Sequence, residues 1–102
     1  MDVLQLLDTA IAKDASDVHI TVGLPPMMRI NGMLIKMLDT VCSPKDSLDA
    51  VNQMLKTKQR DELEETGEID FSYSECKVGR FRANIYKQRG SYGIALRVVP
   101  MY

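Results

Sequence analysis

The last quarter of the chain has no acid: from Lys77 to Tyr102 there are six lysines and arginines and no aspartate or glutamate. The first 76 residues hold all fourteen acids against seven bases, so a net charge of −1 conceals two parts of opposite sign. That balance excludes a general polyanion binder and leaves room for a local anion site in the basic part. Tryptophan is absent, and cysteine (Cys42, Cys76) and histidine (His19) are scarce. Two cysteines without C-x-x-C spacing argue against a zinc site, and without a secretory leader they argue against a disulfide framework. Free structural thiols in a reducing cytosol are expected instead. A lone histidine with no nucleophile motif around it excludes an acyl-transfer triad. No apolar run approaches the roughly 20 residues that a spanning helix requires. No G-x-x-x-x-G-K-[ST] loop is present, so ATP hydrolysis of the P-loop kind is excluded for these residues. Repeats, low-complexity runs and linkers are missing too. The expectation is a single soluble domain with no catalytic residue, metal or cofactor of its own.

What is present is well patterned. Asp2, with Gln5 three residues on, reads as an N-cap, and Val3, Leu6, Leu7, Ala10 and Ile11 follow at helical spacing, predicting a helix that ends near Ala12. Val18, Ile20 and Val22 alternate with Asp17, His19 and Thr21, the period of a half-buried strand. Two strands, one from Met27 to Ile30 and one from Met33 to Leu38, flank Asn31-Gly32, a dipeptide that tolerates the positive φ angles of a type I′ hairpin turn. Ser43-Pro44, with Asp46 in the first turn, opens a helix whose buried stripe is predicted as Leu48, Val51, Met54 and Leu55. A polar helix follows from about Thr57 to Thr66, with Leu63 as its large apolar residue and Gly67 as a left-handed cap. Three strands close the chain, with Ile69, Phe71 and Tyr73, then Phe81, Ala83 and Ile85, then Ile94, Leu96 and Val98 on the inward parity. This order predicts an α+β domain, a mainly antiparallel sheet with helices packed on one face.

Arg82 and Arg97 fall on the outward parity, beside inward Phe81 and Leu96, so both guanidiniums belong on the open face of the sheet. On adjacent strands they could converge on one anion, for which the guanidinium fork is well shaped. The residues alone leave the other reading open, in which they are solvated or paired with the surplus acids. Asp17 and His19 share one face of their strand, where a hydrogen-bonded interface histidine is expected rather than a metal ligand. Met27, Met28, Met33 and Met37 are expected to fill core, although a flexible thioether also suits a binding surface. Tyr86 and Tyr92 among Lys77, Arg80, Lys87 and Arg89 resemble the mix of rings and cations used on single-stranded nucleic acid, but inward-facing Phe81 is lost to such a platform. No nucleic-acid partner is expected.

Four blocks, A-S-D-V-H-I-T-V-G-L-P-P-M-M-R-I-N-G (15–32), T-K-Q-R (57–60), E-I-D-F-S-Y (68–73) and G-R-F-R-A-N (79–84), resemble the N-terminal domain of the type IV pilus retraction ATPases. These are the PilT-like twitching-motility motors of the type II and IV secretion ATPase superfamily. The resemblance covers essentially the whole chain. It implies a PAS-like fold for residues 1–102, with a RecA-like ATPase domain that carries the Walker motifs lying outside this sequence. It further implies a homo-hexameric parent that uses ATP and Mg, works with pilus machinery of the inner membrane, and resides in the cytoplasm at that membrane's inner face. Within the family, nucleotide lies between the two domains, and the positions matching the phosphate-reaching arginines are Arg82 and Arg97. Asp17, His19 and Arg29 match blocks expected to serve domain packing and subunit contacts, and Arg80 and Arg89 match less fixed positions. A stand-alone PAS-like small-molecule sensor, or a domain of a pilus assembly or type II secretion ATPase, are the alternative functions.

Overall fold

A computed structural model describes residues 1–74 and 79–100. Helix α1 (Val3–Ala12) starts where the Asp2 carboxylate accepts the Gln5 N–H at 3.3 Å, and it buries Val3, Leu6, Leu7 and Ala10, the stripe its spacing predicts. Strand β1 (Asp17–Ile20) buries Val18 and Ile20. Strands β2 (Met27–Ile30) and β3 (Met33–Lys36) form the expected hairpin, with Asn31 at φ 51° and Gly32 at φ 82°.

Helix α2 (Pro44–Met54) opens with a full capping box: the Asp46 N–H donates to Ser43 Oγ at 3.1 Å and the Ser43 N–H donates to Asp46 Oδ2 at 3.0 Å. Its buried stripe is Ser47, Ala50, Val51 and Met54, so the inclusion of Leu48 in that stripe is corrected. Leu48 lies one residue, or about 100°, round the helix from Ser47. The smaller side chain takes the inward position, where its hydroxyl is satisfied by donating to the Pro44 carbonyl at 3.2 Å. Helix α3 (Thr57–Thr66) buries Leu63 and ends at Gly67, φ 85°, as predicted.

Strands β4 (Glu68–Tyr73), β5 (Arg80–Gln88) and β6 (Ser91–Val99) form an antiparallel meander. All six strands lie in one antiparallel sheet in the order β3-β2-β1-β6-β5-β4, so the first and last strands of the chain are the central pair. The three helices pack against this sheet and complete the α+β architecture expected. Val18, Ile20, Phe81, Ile85, Ile94 and Leu96 join Leu7, Val51 and Leu63 in one core, each at 1 % exposure or less. Burial of each large side chain is worth about 1.5–3 kcal/mol.

The methionines divide. Met28 and Met54 are buried and Met37 packs on the core, but Met33 is 69 % exposed, which corrects its assignment to core. Strand β3 is an edge whose four residues are all exposed, so a long apolar side chain there stays in solvent. Cys42 is buried and free, and burial, with Asp46 nearby, pushes its thiol pKa up; Cys76 lies outside the described residues. Among the described residues no helix is long and apolar enough to cross a membrane.

Candidate functional site

The open face of the sheet is built from outward-parity residues, and the strand register sets them in rows. One row runs Arg29 on β2, Asp17 on β1, Arg97 on β6, Arg82 on β5 and Ser72 on β4, each directly opposite the next. The neighbouring row runs Met27, His19, Ala95, Asn84 and Asp70. Two adjoining depressions of about 400 and 790 Å³ share Asp17, His19 and Arg97, and the first also takes in Asp70, Arg82 and Asn84. The five residues singled out in the sequence therefore come together on one face.

Asp17 is the hub of one end. Its carboxylate meets His19 Nε2 at 2.5 Å and accepts from Ser16 Oγ at 2.6 Å and Arg29 Nε at 3.4 Å. Partial burial works to raise its pKa, but the hydrogen bonds from Ser16 and His19, the His19 charge and the Arg29 bond together hold it below the usual carboxylate range. Arg29 also donates from Nη1 to the Gly32 carbonyl at 3.1 Å, which ties the hairpin turn to this cluster.

At the other end Arg82 donates from Nη2 to Asp70 Oδ1 at 2.8 Å and from Nη1 to Ser72 Oγ at 3.3 Å. Asn84 is held in turn, donating to Glu68 Oε1 at 2.8 Å. Arg97, between the two ends, is exposed and has no side-chain hydrogen bond or ion pair among the described residues. Its cross-strand neighbours are Asp17, already committed to three partners, and Arg82, a like charge. Like charges directly opposite each other destabilise a sheet by up to about 1 kcal/mol, and an anion between them reverses that sign.

Asp70, Ser72 and Asn84 were not singled out in the sequence. Their parity was legible, since Asp70 and Ser72 alternate with Ile69, Phe71 and Tyr73, but only the register brings them beside Arg82. Arg89 sits away from this face, at φ 50° in the β5–β6 turn, and Arg80 is paired across the sheet with Val99. The fully buried polar side chain is Ser47, already bonded, and no buried side-chain nitrogen or oxygen lacks a partner among the described residues.

No family model matches the chain. It is 34 % identical over 100 residues to the type IV pilus retraction ATPase PilT of Pseudomonas aeruginosa, covering 98 % of this chain and 29 % of that protein. It is also 34 % identical over 97 residues to the type IV pilus ATPase PilU of the same organism, covering 95 % of this chain and 25 % of PilU. A crystal structure of the pilus retraction motor PilT with bound ADP superimposes on the whole chain with a TM-score of 0.90 at 40 % identity, over 30 % of that chain. The chain spans between a quarter and a third of the length of these relatives.

Proposed function

The chain belongs to the type IV pilus ATPase family of PilT and PilU, corresponding to its N-terminal domain, and on that footing we propose that it serves a pilus-retraction ATPase as a non-catalytic domain that brings arginines to the nucleotide. A RecA-like domain of the same polypeptide, together with those of neighbouring subunits in a homo-hexamer, would bind ATP. Arg97 and Arg82 would reach its phosphates, while Asp17, His19 and Arg29 would hold the packing between domains. The assembly would work in the cytoplasm against pilus machinery of the inner membrane.

The observation that carries this reading is Arg97: an exposed guanidinium with no partner among the described residues, set directly opposite a second arginine on an otherwise well-paired face. A phosphate oxygen is the complement such a pair lacks. The residues present fit the phosphate part of ATP. They include no cluster of three or more His, Cys, Asp or Glu that could hold a metal ion among those described, so the ATP-bound magnesium would be held by the other domain. Guanidiniums delivered by one domain to phosphates held on another supply charge only when the interface closes, which couples domain rotation to the state of the nucleotide.

The test is Arg97→Ala and Arg82→Ala in the full-length ATPase that carries this domain. Loss of turnover on the order of tenfold or more is expected. Undiminished ATPase activity in either variant would overturn the reading.

A further inference from the structure

Arg82 does not lean toward Arg97. Its guanidinium lies over β4, donating to Asp70 at 2.8 Å and Ser72 at 3.3 Å, whereas Arg97 lies on the other side of β5, on β6. For Arg82 to turn its guanidinium toward a phosphate shared with Arg97, it gives up its bond to Asp70 on β4. We propose that Asp70 is a latch on Arg82: its carboxylate holds the guanidinium away from Arg97 and competes with nucleotide phosphate for it. The proposal rests on the reading of Arg82 and Arg97 as phosphate contacts.

Three features suit Asp70 to this role. The contact is end-on, one nitrogen to one oxygen, so a single charge-assisted hydrogen bond to the carboxylate is all that must break before the guanidinium turns to a second anion. Both partners are more than half exposed, at 56 % for Arg82 and 60 % for Asp70, so water and salt weaken the pair and exchange is cheap. The charges along the row set the direction of the switch. With no anion between the strands, a swing toward Arg97 would bring two cations together, so the latched position is preferred; a polyphosphate between them reverses that preference. Asp70 is thus a positioning residue. It sets how readily the site accepts nucleotide, and every ATP that engages Arg82 displaces it.

The experiment uses the full-length ATPase carrying this domain, with ATP as the probe, in four variants: Asp70→Asn, Asp70→Glu, Arg82→Ala and the double variant Asp70→Asn/Arg82→Ala. Removing the latch charge should tighten ATP binding and lower KM by about two- to fivefold, the range that an exposed ion pair is worth, with kcat moving less than KM. Asp70→Glu should restore wild-type affinity. In the Arg82→Ala background the Asn substitution should change nothing, since its target is gone. Should Asn disturb β4, Asp70→Ser must give the same result. Unchanged or weaker ATP binding in Asp70→Asn, alongside a weakened Arg82→Ala, would overturn the latch and leave the phosphate reading standing. If Arg82→Ala binds and turns over ATP as the wild type does, both fall.

Discussion

Arg82 and Arg97 face each other across β5 and β6 in direct register, and one of them is paired with a carboxylate while the other has no partner among the described residues. The asymmetry separates what each does for the fold from what each offers a ligand. Arg82 links β5 to β4, whereas the Arg97 side chain makes no polar contact among the described residues.

Arg97→Gln should therefore leave the stability of the 102-residue chain within about 0.5 kcal/mol of wild type, as for surface positions free of specific contacts. Urea unfolding midpoints of the two proteins measure this directly. A loss of 2 kcal/mol or more would mean that Arg97 is a structural residue.

The Asp17 cluster predicts a pH dependence. A carboxylate whose folded-state pKa is depressed contributes stability that is complete above its unfolded value, about 3.9, and lost as pH falls through the folded value. Asp17 is depressed in this way, so Asp17→Asn should remove part of the acid-side fall in stability, below about pH 4. Thermal melts of both proteins between neutral pH and pH 3 report it, and parallel curves would contradict the prediction.

A second pH effect lies at the alkaline end. The Tyr92 hydroxyl donates to Glu64, which also meets Lys87 Nζ at 3.1 Å. The hydrogen bond to Glu64, then burial and the Glu64 charge, raise the Tyr92 pKa; the same hydrogen bond, then the one from Lys87, lowers that of Glu64. The Tyr92 contribution is fully present below its unfolded value near 10 and disappears as pH rises through the raised folded value. Tyr92→Phe should flatten the stability profile above about pH 10, as followed by far-UV circular dichroism against urea.

Leu63 is the sole fully buried contact of α3. Leu63→Ala should cost about 2–5 kcal/mol and release the helix before the rest of the domain unfolds. Amide exchange would show protection lost in residues 57–66 ahead of β5 and β6; uniform loss across the domain would contradict it.

Gly93 has no room for a side chain, because the Tyr86 ring of the facing strand lies over it: a Cβ there would stand 2.3 Å from the ring. Gly93→Ala should push the half-buried Tyr86 ring off its rotamer, at a cost of about 1 kcal/mol. In a Tyr86→Ala background most of that cost should vanish, and additive losses in the double variant would exclude the ring as its cause.

Most of the fold was legible because each local signal agreed with its neighbours. The Asn31-Gly32 turn, the Ser43 cap, the Gly67 stop and the alternation around Phe81 and Leu96 each depend on a few adjacent residues, and all are present. Leu48 and Met33 were misread for a different reason. Hydrophobicity marks a residue that can be buried, but the phase of α2 and the edge position of β3 decide whether anything is there to cover it. For the candidate site, parity put Arg82 and Arg97 on one face, but sequence period says nothing of which strands are neighbours. The Asp70 partner and the opposition of the two arginines are properties of register, set by pairing between residues far apart in the chain.

The central pairing of β1 with β6 has a kinetic consequence. It joins residues 17–20 to residues 94–97, a contact of very high sequence separation, while the hairpin of β2 and β3 and the meander of β4 to β6 are each local. Such an order predicts two rapidly formed pieces and a slower closing step that fuses them. On that order Asp17 and Arg97 would become neighbours at the closing step, once the β6 segment has left the ribosome. A chain that stalls earlier can hold every residue of the site and have no site.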